Sequence, residues 1–196
     1  MILSHMLSDA VLAGVGFWVF LSAFQRVPFY SRLLWGFFFV TIALAALVGV
    51  FTFAGLAGLE PVHQSLTLLA GSLGVVCVVV AVYSAVLKRP ATQLSFSTAT
   101  LLGLFVFTAL LVLPRLSVFA PVVASLGILL VMVLAVFGLR ERQPWAGWIV
   151  VAVMLMALAT KAEHLPLPLH PTDSYHYLIA LALLSFGKAG QKIGLG

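Results

Sequence analysis

Apolar and polar positions along this chain alternate on the scale of a membrane thickness, not of a helix turn or a strand. Apolar runs at 6–24, 33–56, 65–87, 95–113, 116–139, 145–160 and 173–187 are separated by short breaks that hold most of the charges, prolines and histidines. Each run approaches the roughly 20 residues that a helix needs to cross about 30 Å of hydrocarbon. The runs are continuous instead of alternating, which argues against a membrane β-barrel. The pattern predicts an all-α polytopic membrane protein with seven transmembrane helices, folded as a single domain over residues 1–196.

The breaks carry their own signals. Val27-Pro28 and Lys88-Arg89-Pro90 stop runs, and Gln143-Pro144 opens one, proline being tolerated at a first helical position. The segment 165–171, Leu-Pro-Leu-Pro-Leu-His-Pro, cannot be helical because three prolines remove donors and restrict the residues before them. It predicts an extended connector that dips into the membrane or packs over the mouth of the bundle. Pro121 predicts a kink near the start of the fifth span. Gly14, Gly16, Ala70, Gly71 and Gly74 are expected at helix contacts, since small residues let backbones approach closely in lipid.

Charge sets the orientation. Eight of the ten Lys/Arg residues (Arg26, Arg32, Lys88, Arg89, Arg140, Arg142, Lys188 and Lys192) occupy alternate breaks and the C-terminal tail. The positive-inside rule then places the N-terminus out and the C-terminus in, as expected of a multi-pass protein of an inner membrane. A net charge of +5 invites a nucleic-acid partner, but these cations are scattered over short loops and topology accounts for them. Membrane lipids are the expected partners. The N-terminal run lacks a preceding basic region and reads as a first span, not a cleavable signal. With 63% hydrophobic residues the chain fits no soluble class. The lone Cys77 excludes a disulfide scaffold, CxxC redox chemistry and cysteine-ligated zinc.

The candidate chemistry collects at the opposite end. All five histidines (His5, His63, His164, His170, His176) and four of the five carboxylates (Asp9, Glu60, Glu163, Asp173) fall on the outer side of this map. Counting 1.5 Å per residue from the inner boundary puts Asp9 roughly a turn below the surface, Asp173 roughly 7 Å deep and His176 roughly 12 Å deep. Ionisable groups at such depth normally face a bundle interior or a wet cavity. Asp9 and Asp173 also stand near helix starts, where an N-capping role competes. His63 and His164 sit in polar turns that suit solvated imidazoles, and His5 is close to the terminus. Asp173 and His176, three residues apart, project from one helical face. Asp-x-x-His can place a carboxylate and an imidazole on one metal, or let the carboxylate orient a ligating ring.

Seven spans with the N-terminus out, an acidic residue opening span one, and histidines opening spans three and seven resemble the CREST superfamily of membrane hydrolases, which includes alkaline ceramidases and adiponectin-receptor-like proteins. The segment Asp173-Ser174-Tyr175-His176-Tyr177-Leu178 is also similar to the last helix of small bacterial seven-span proteins. The resemblance implies zinc held by His63 and His176, with Asp9 standing for the acidic residue of span one. This chain departs from the family pattern in two places: it has no His-x-x-x-His pair in span seven and no carboxylate in span three.

Two functions are therefore expected. One is a zinc-dependent hydrolase acting on a lipid amide or ester, with His63 and His176 as ligands, His170 or Asp173 completing the set, and Asp9 as general base or orienting group. The alternative is a non-enzymatic membrane protein whose outer polar cluster binds an ion, a lipid or a partner. A transporter is less favoured, because no charged residue falls at the bilayer midplane.

Overall fold

The computed structural model describes residues 2–164, 166 and 168–194. Met1, Leu195 and Gly196 lie outside the described residues, as do Leu165 and Leu167 of the expected extended connector. Every expected apolar run is helical: α1 Ile2–Ala23, α2 Phe29–Phe53, α3 Ala57–Val86, α4 Gln93–Val112, α5 Ala120–Arg140, α6 Ala146–Ala159 and α7 Pro171–Ile193. No strand occurs among the described residues. The helices α1 to α5 are long and apolar enough to cross a membrane. α6 is apolar but has 14 residues, whereas α7 has 23 and is more polar.

Most helices start earlier than hydropathy places them, because caps and prolines set the ends while apolarity marks only the middle. Thr92 and Ser95 form a reciprocal capping box that opens α4: Ser95 N–H donates to Thr92 Oγ1 (3.2 Å) and Thr92 N–H to Ser95 Oγ (2.8 Å). Pro121 occupies the first turn of α5, after a separate short helix Pro114–Ser117. It therefore starts the helix, and no kink is needed to accommodate it. α3 is composite, with a 3-10 turn Ala57–Leu59, α-helix Glu60–Leu69, a π-turn Ala70–Gly74 and α-helix Val75–Val86.

Six helices close a ring in the order α1, α2, α3, α5, α6, α7 and back to α1, while α4 packs outside against α3 and α2. One half of the ring is solid. Phe24, Trp35, Phe38, Phe39 and Phe186 are fully buried and meet at ring-centroid distances of 5.0–6.2 Å. This aromatic plug lies toward the end that carries the basic loops, where Arg26 meets Gly194 and Ser31 Oγ accepts from the backbone of Ala91. The other half, toward the histidines, is not filled.

Two of the expected small-residue contacts separate cleanly. A Cβ on Gly16 would stand 2.9 Å from Ala43 Cβ and 3.5 Å from the Phe39 carbonyl, whereas one on Gly14 would meet nothing within 4 Å. Gly14 is thus not a helix contact. Gly16→Val is expected to lower the thermal midpoint in detergent by crowding α1 against α2, at about 1–3 kcal/mol. Gly14→Ala is expected to leave it unchanged or raise it, through about 1 kcal/mol of helix propensity. Equal midpoints for the two variants would contradict the α1–α2 register.

Candidate functional site

The polar residues of α1 and α7 meet across a buried seam. α7 begins where His170, in extended conformation before Pro171, caps the helix by accepting from Thr172 N–H (3.3 Å). That places Asp173 in the first turn, buried and facing α1. It does not cap α7. Its carboxylate accepts from Ser4, from His5 Nδ1 (2.7 Å) and from Ser8 Oγ (2.9 Å). His5 in turn stacks edge-on against His170 at 4.6 Å and lies 5.2 Å from the Phe53 ring.

Asp9 lies seven residues into α1, so it caps nothing either. Its Oδ1 is 3.1 Å from His176 Nδ1. The angle there is wrong for a hydrogen bond, because that N–H aims at Ser8 Oγ, 3.2 Å away. Ser8 thus links the two pairs, which are crossed: His5 on α1 with Asp173 on α7, and Asp9 on α1 with His176 on α7. The i, i+3 spacing of Asp173 and His176 correctly puts both on one face, but each addresses a different partner on α1.

His63 sits three residues into the α-helical part of α3, partly buried, and is not a solvated turn residue. Its Nδ1 lies 2.9 Å from the Ala45 carbonyl on α2. A carbonyl only accepts, so Nδ1 carries the proton and Nε2 keeps its lone pair. The approach is possible because Gly49 has no side chain: a Cβ there would stand 3.1 Å from His63 Cε1 and would run into the Asp9 carboxylate. His63 and Asp9 thus flank the same point on α2. His164, at the end of the 3-10 turn Ala162–His164, is exposed and takes no part.

Between these groups lies a cavity of about 630 Å³, reaching from Asp9, His63 and His176 at the histidine end to Phe38 and Val75 at the aromatic plug. All six ring helices line it, including α5 and α6, which the sequence did not single out. The π-turn of α3 contributes Ala70 and Gly71 to the wall, an extra residue in the helix being a common device at functional sites. The lining is mostly apolar, with Ile42, Ile128, Met132 and Ile179 among it. Its volume falls within the roughly 300–1,000 Å³ typical of small-molecule sites.

One polar group in it is unsatisfied. The Asp9 side chain is 1% exposed, and neither carboxylate oxygen has a hydrogen-bond partner among the described residues. A buried carboxylate without donors is costly, and in native proteins such a group calls for a specific explanation.

The zinc set expected from the sequence is not assembled. Among the described residues no group of three His, Cys, Asp or Glu side chains is placed to surround a metal ion. The reasons are visible: His170 spends Nδ1 on the α7 cap, and Asp173 is engaged by Ser4, His5 and Ser8. Of the expected site residues, Asp9, His63 and His176 line the cavity, while Asp173 and His170 belong to the seam behind it with His5. The sequence grouped His5 only with the other outer histidines and assigned Ser8 no role; the one further signal is that His5 precedes Ser8 by three residues and Asp9 by four. That spacing puts all three on one side of α1.

No curated protein and no solved structure matches the chain. A family described as "Family of unknown function (DUF6962)" matches residues 4–194, almost the entire sequence, and the protein belongs to that family.

Proposed function

We propose that this is a seven-span inner-membrane protein that holds a small amphiphilic molecule within its helix ring. The N-terminus and the histidine end would face outward and the C-terminal tail inward. The observation that carries this reading is the form of the cavity: an apolar body closed by the aromatic plug, with a single polar end at Asp9, His63 and His176. A chain-like apolar ligand would fill the body, and its head would meet the three polar side chains. The gathering of basic residues at the other end of the bundle supports the orientation. A reporter fused to the C-terminus is expected to be active only in the cytoplasm; activity on the outer side would turn the map over.

The resemblance to the CREST hydrolases stands on span order and histidine placement, and it brings no donor set for zinc here. Binding is therefore the better-supported function, with Asp9 aligning a head group instead of activating water. The protein extracted in native lipid nanoparticles is expected to retain an amphiphile through exchange into detergent, detected by mass spectrometry of its solvent extract. Ala70→Phe, or Met156→Trp as a second filling variant, is expected to release it. An empty wild-type extract would refute the proposal, and stoichiometric zinc in the purified protein would return the hydrolase to first place.

A further inference from the structure

The polar end of the cavity is lined almost wholly by hydrogen-bond acceptors. Asp9 offers two buried oxygens that accept no hydrogen bond among the described residues, although Oδ1 lies 3.1 Å from His176 Nδ1. His63 gives its proton to the Ala45 carbonyl, which leaves Nε2 as an acceptor. Ser8 Oγ faces two groups that only accept, the Asp173 carboxylate at 2.9 Å and the His5 carbonyl at 3.0 Å, so it gives its proton there and receives that of His176 Nδ1, which leaves Nε2 of His176 as an acceptor too. The nearby threonines add lone pairs only: Thr67 Oγ1 donates to the His63 carbonyl (2.9 Å) and Thr160 Oγ1 to the Ala157 carbonyl (2.8 Å). Among the described residues no Lys or Arg lines the cavity, and the hydroxyls of Ser125 and Tyr175 are the side-chain groups in its wall still able to donate.

A ligand head for this site must therefore supply donors and, opposite Asp9, positive charge. We infer that the cavity binds an amphiphile with a primary ammonium head, its three N–H groups directed at the Asp9 carboxylate and at Nε2 of His63 and His176. This rests on the amphiphile-binding reading above and specifies the head group. Geometry separates this occupant from a metal ion. A metal at about 2.0–2.2 Å from each ligand needs its donors packed tightly around it. An ammonium nitrogen reaches acceptors at about 2.9 Å and is served by a wider set. Among the described residues the tight arrangement is missing, while the acceptors remain. A carboxylate head would face Asp9 with like charge. A quaternary ammonium would bring charge without N–H donors, and an alcohol one donor without charge.

Four probes of equal chain length test this on the purified protein: dodecylamine, dodecanol, dodecanoate and dodecyltrimethylammonium, with adducts counted by native mass spectrometry. Dodecylamine is expected to bind about ten-fold or more tightly than the other three, as befits charge-assisted hydrogen bonds in a buried site. Asp9→Asn is expected to abolish that advantage. If dodecanol or dodecyltrimethylammonium binds as well as the amine, and Ala70→Phe blocks all of them, the head-group inference is overturned while the amphiphile site survives. If no probe binds, or binding ignores Ala70→Phe, the amphiphile reading itself fails. The panel on the unmodified chain tests the head-group preference without any variant having to fold, and Met156→Trp repeats the filling test if Ala70→Phe does not fold.

Discussion

Asp173→Ala is expected to destabilise the protein by about 3–5 kcal/mol, the scale of breaking a buried charged pair by removing one partner. The carboxylate is the common acceptor for Ser4, His5 and Ser8, so its loss strands Ser4 and His5 between α1 and α7, while Ser8 Oγ keeps the His5 carbonyl at 3.0 Å. Removing a donor should cost less. His5→Ala leaves Asp173 with both serines, and a loss of about 1–3 kcal/mol is expected, the value of a hydrogen bond to a charged group. Thermal unfolding in one detergent measures both. Asp173→Asn keeps an acceptor oxygen and should fall between wild type and Asp173→Ala. If Asp173→Ala were no worse than His5→Ala, the carboxylate would not be the organising group of the seam.

Gly49→Ala tests the cavity head from the opposite side, and two effects of opposite sign compete. Alanine is favoured over glycine in a helix interior by about 1 kcal/mol. Against this, the new methyl runs into the Asp9 carboxylate and stands 3.1 Å from His63 Cε1. Neither group retreats easily, because His63 is held by the Ala45 carbonyl and Asp9 is backed by His176 at 3.1 Å. Overpacking of this kind costs about 1–3 kcal/mol, which outweighs the propensity gain. The variant should unfold at a lower temperature and also lose the preference for dodecylamine. A more stable variant with unchanged binding would mean that Asp9 and His63 do not meet at Gly49. The outcome at Gly14, where a methyl meets nothing, supplies the opposite control.

The helices and their ends were legible to different degrees. Seven apolar runs became seven helices because a helix pairs the backbone groups of a continuous apolar run internally, although among the described residues only α1 to α5 are long and apolar enough to cross a membrane. Their starts were displaced wherever a cap or a proline set them, as at Thr92 and Pro121. The gathering of histidines and carboxylates at one end was also legible, since span order alone carries residues to one end or the other. The zinc set was not assembled for a reason that no one-dimensional count contains. Asp173 and His176 share a face of α7, yet each found its partner on α1, and His5, placed near a terminus, turned out to be part of the seam.

By itself, then, the sequence determined the seven main helices and the end of the bundle at which each ionisable group lies, because apolar length and chain order are properties of single helices and their succession. Only the tertiary structure decided which groups meet. The ring order that leaves α4 outside, the close approach of His63 and Asp9 over Gly49, and the hollow above the aromatic plug depend on rotations of one helix against another. Those rotations are set by the packing of small and aromatic residues from several helices together, and the weak amphipathicity of α1, α2, α4 and α6 leaves them unmarked along the chain.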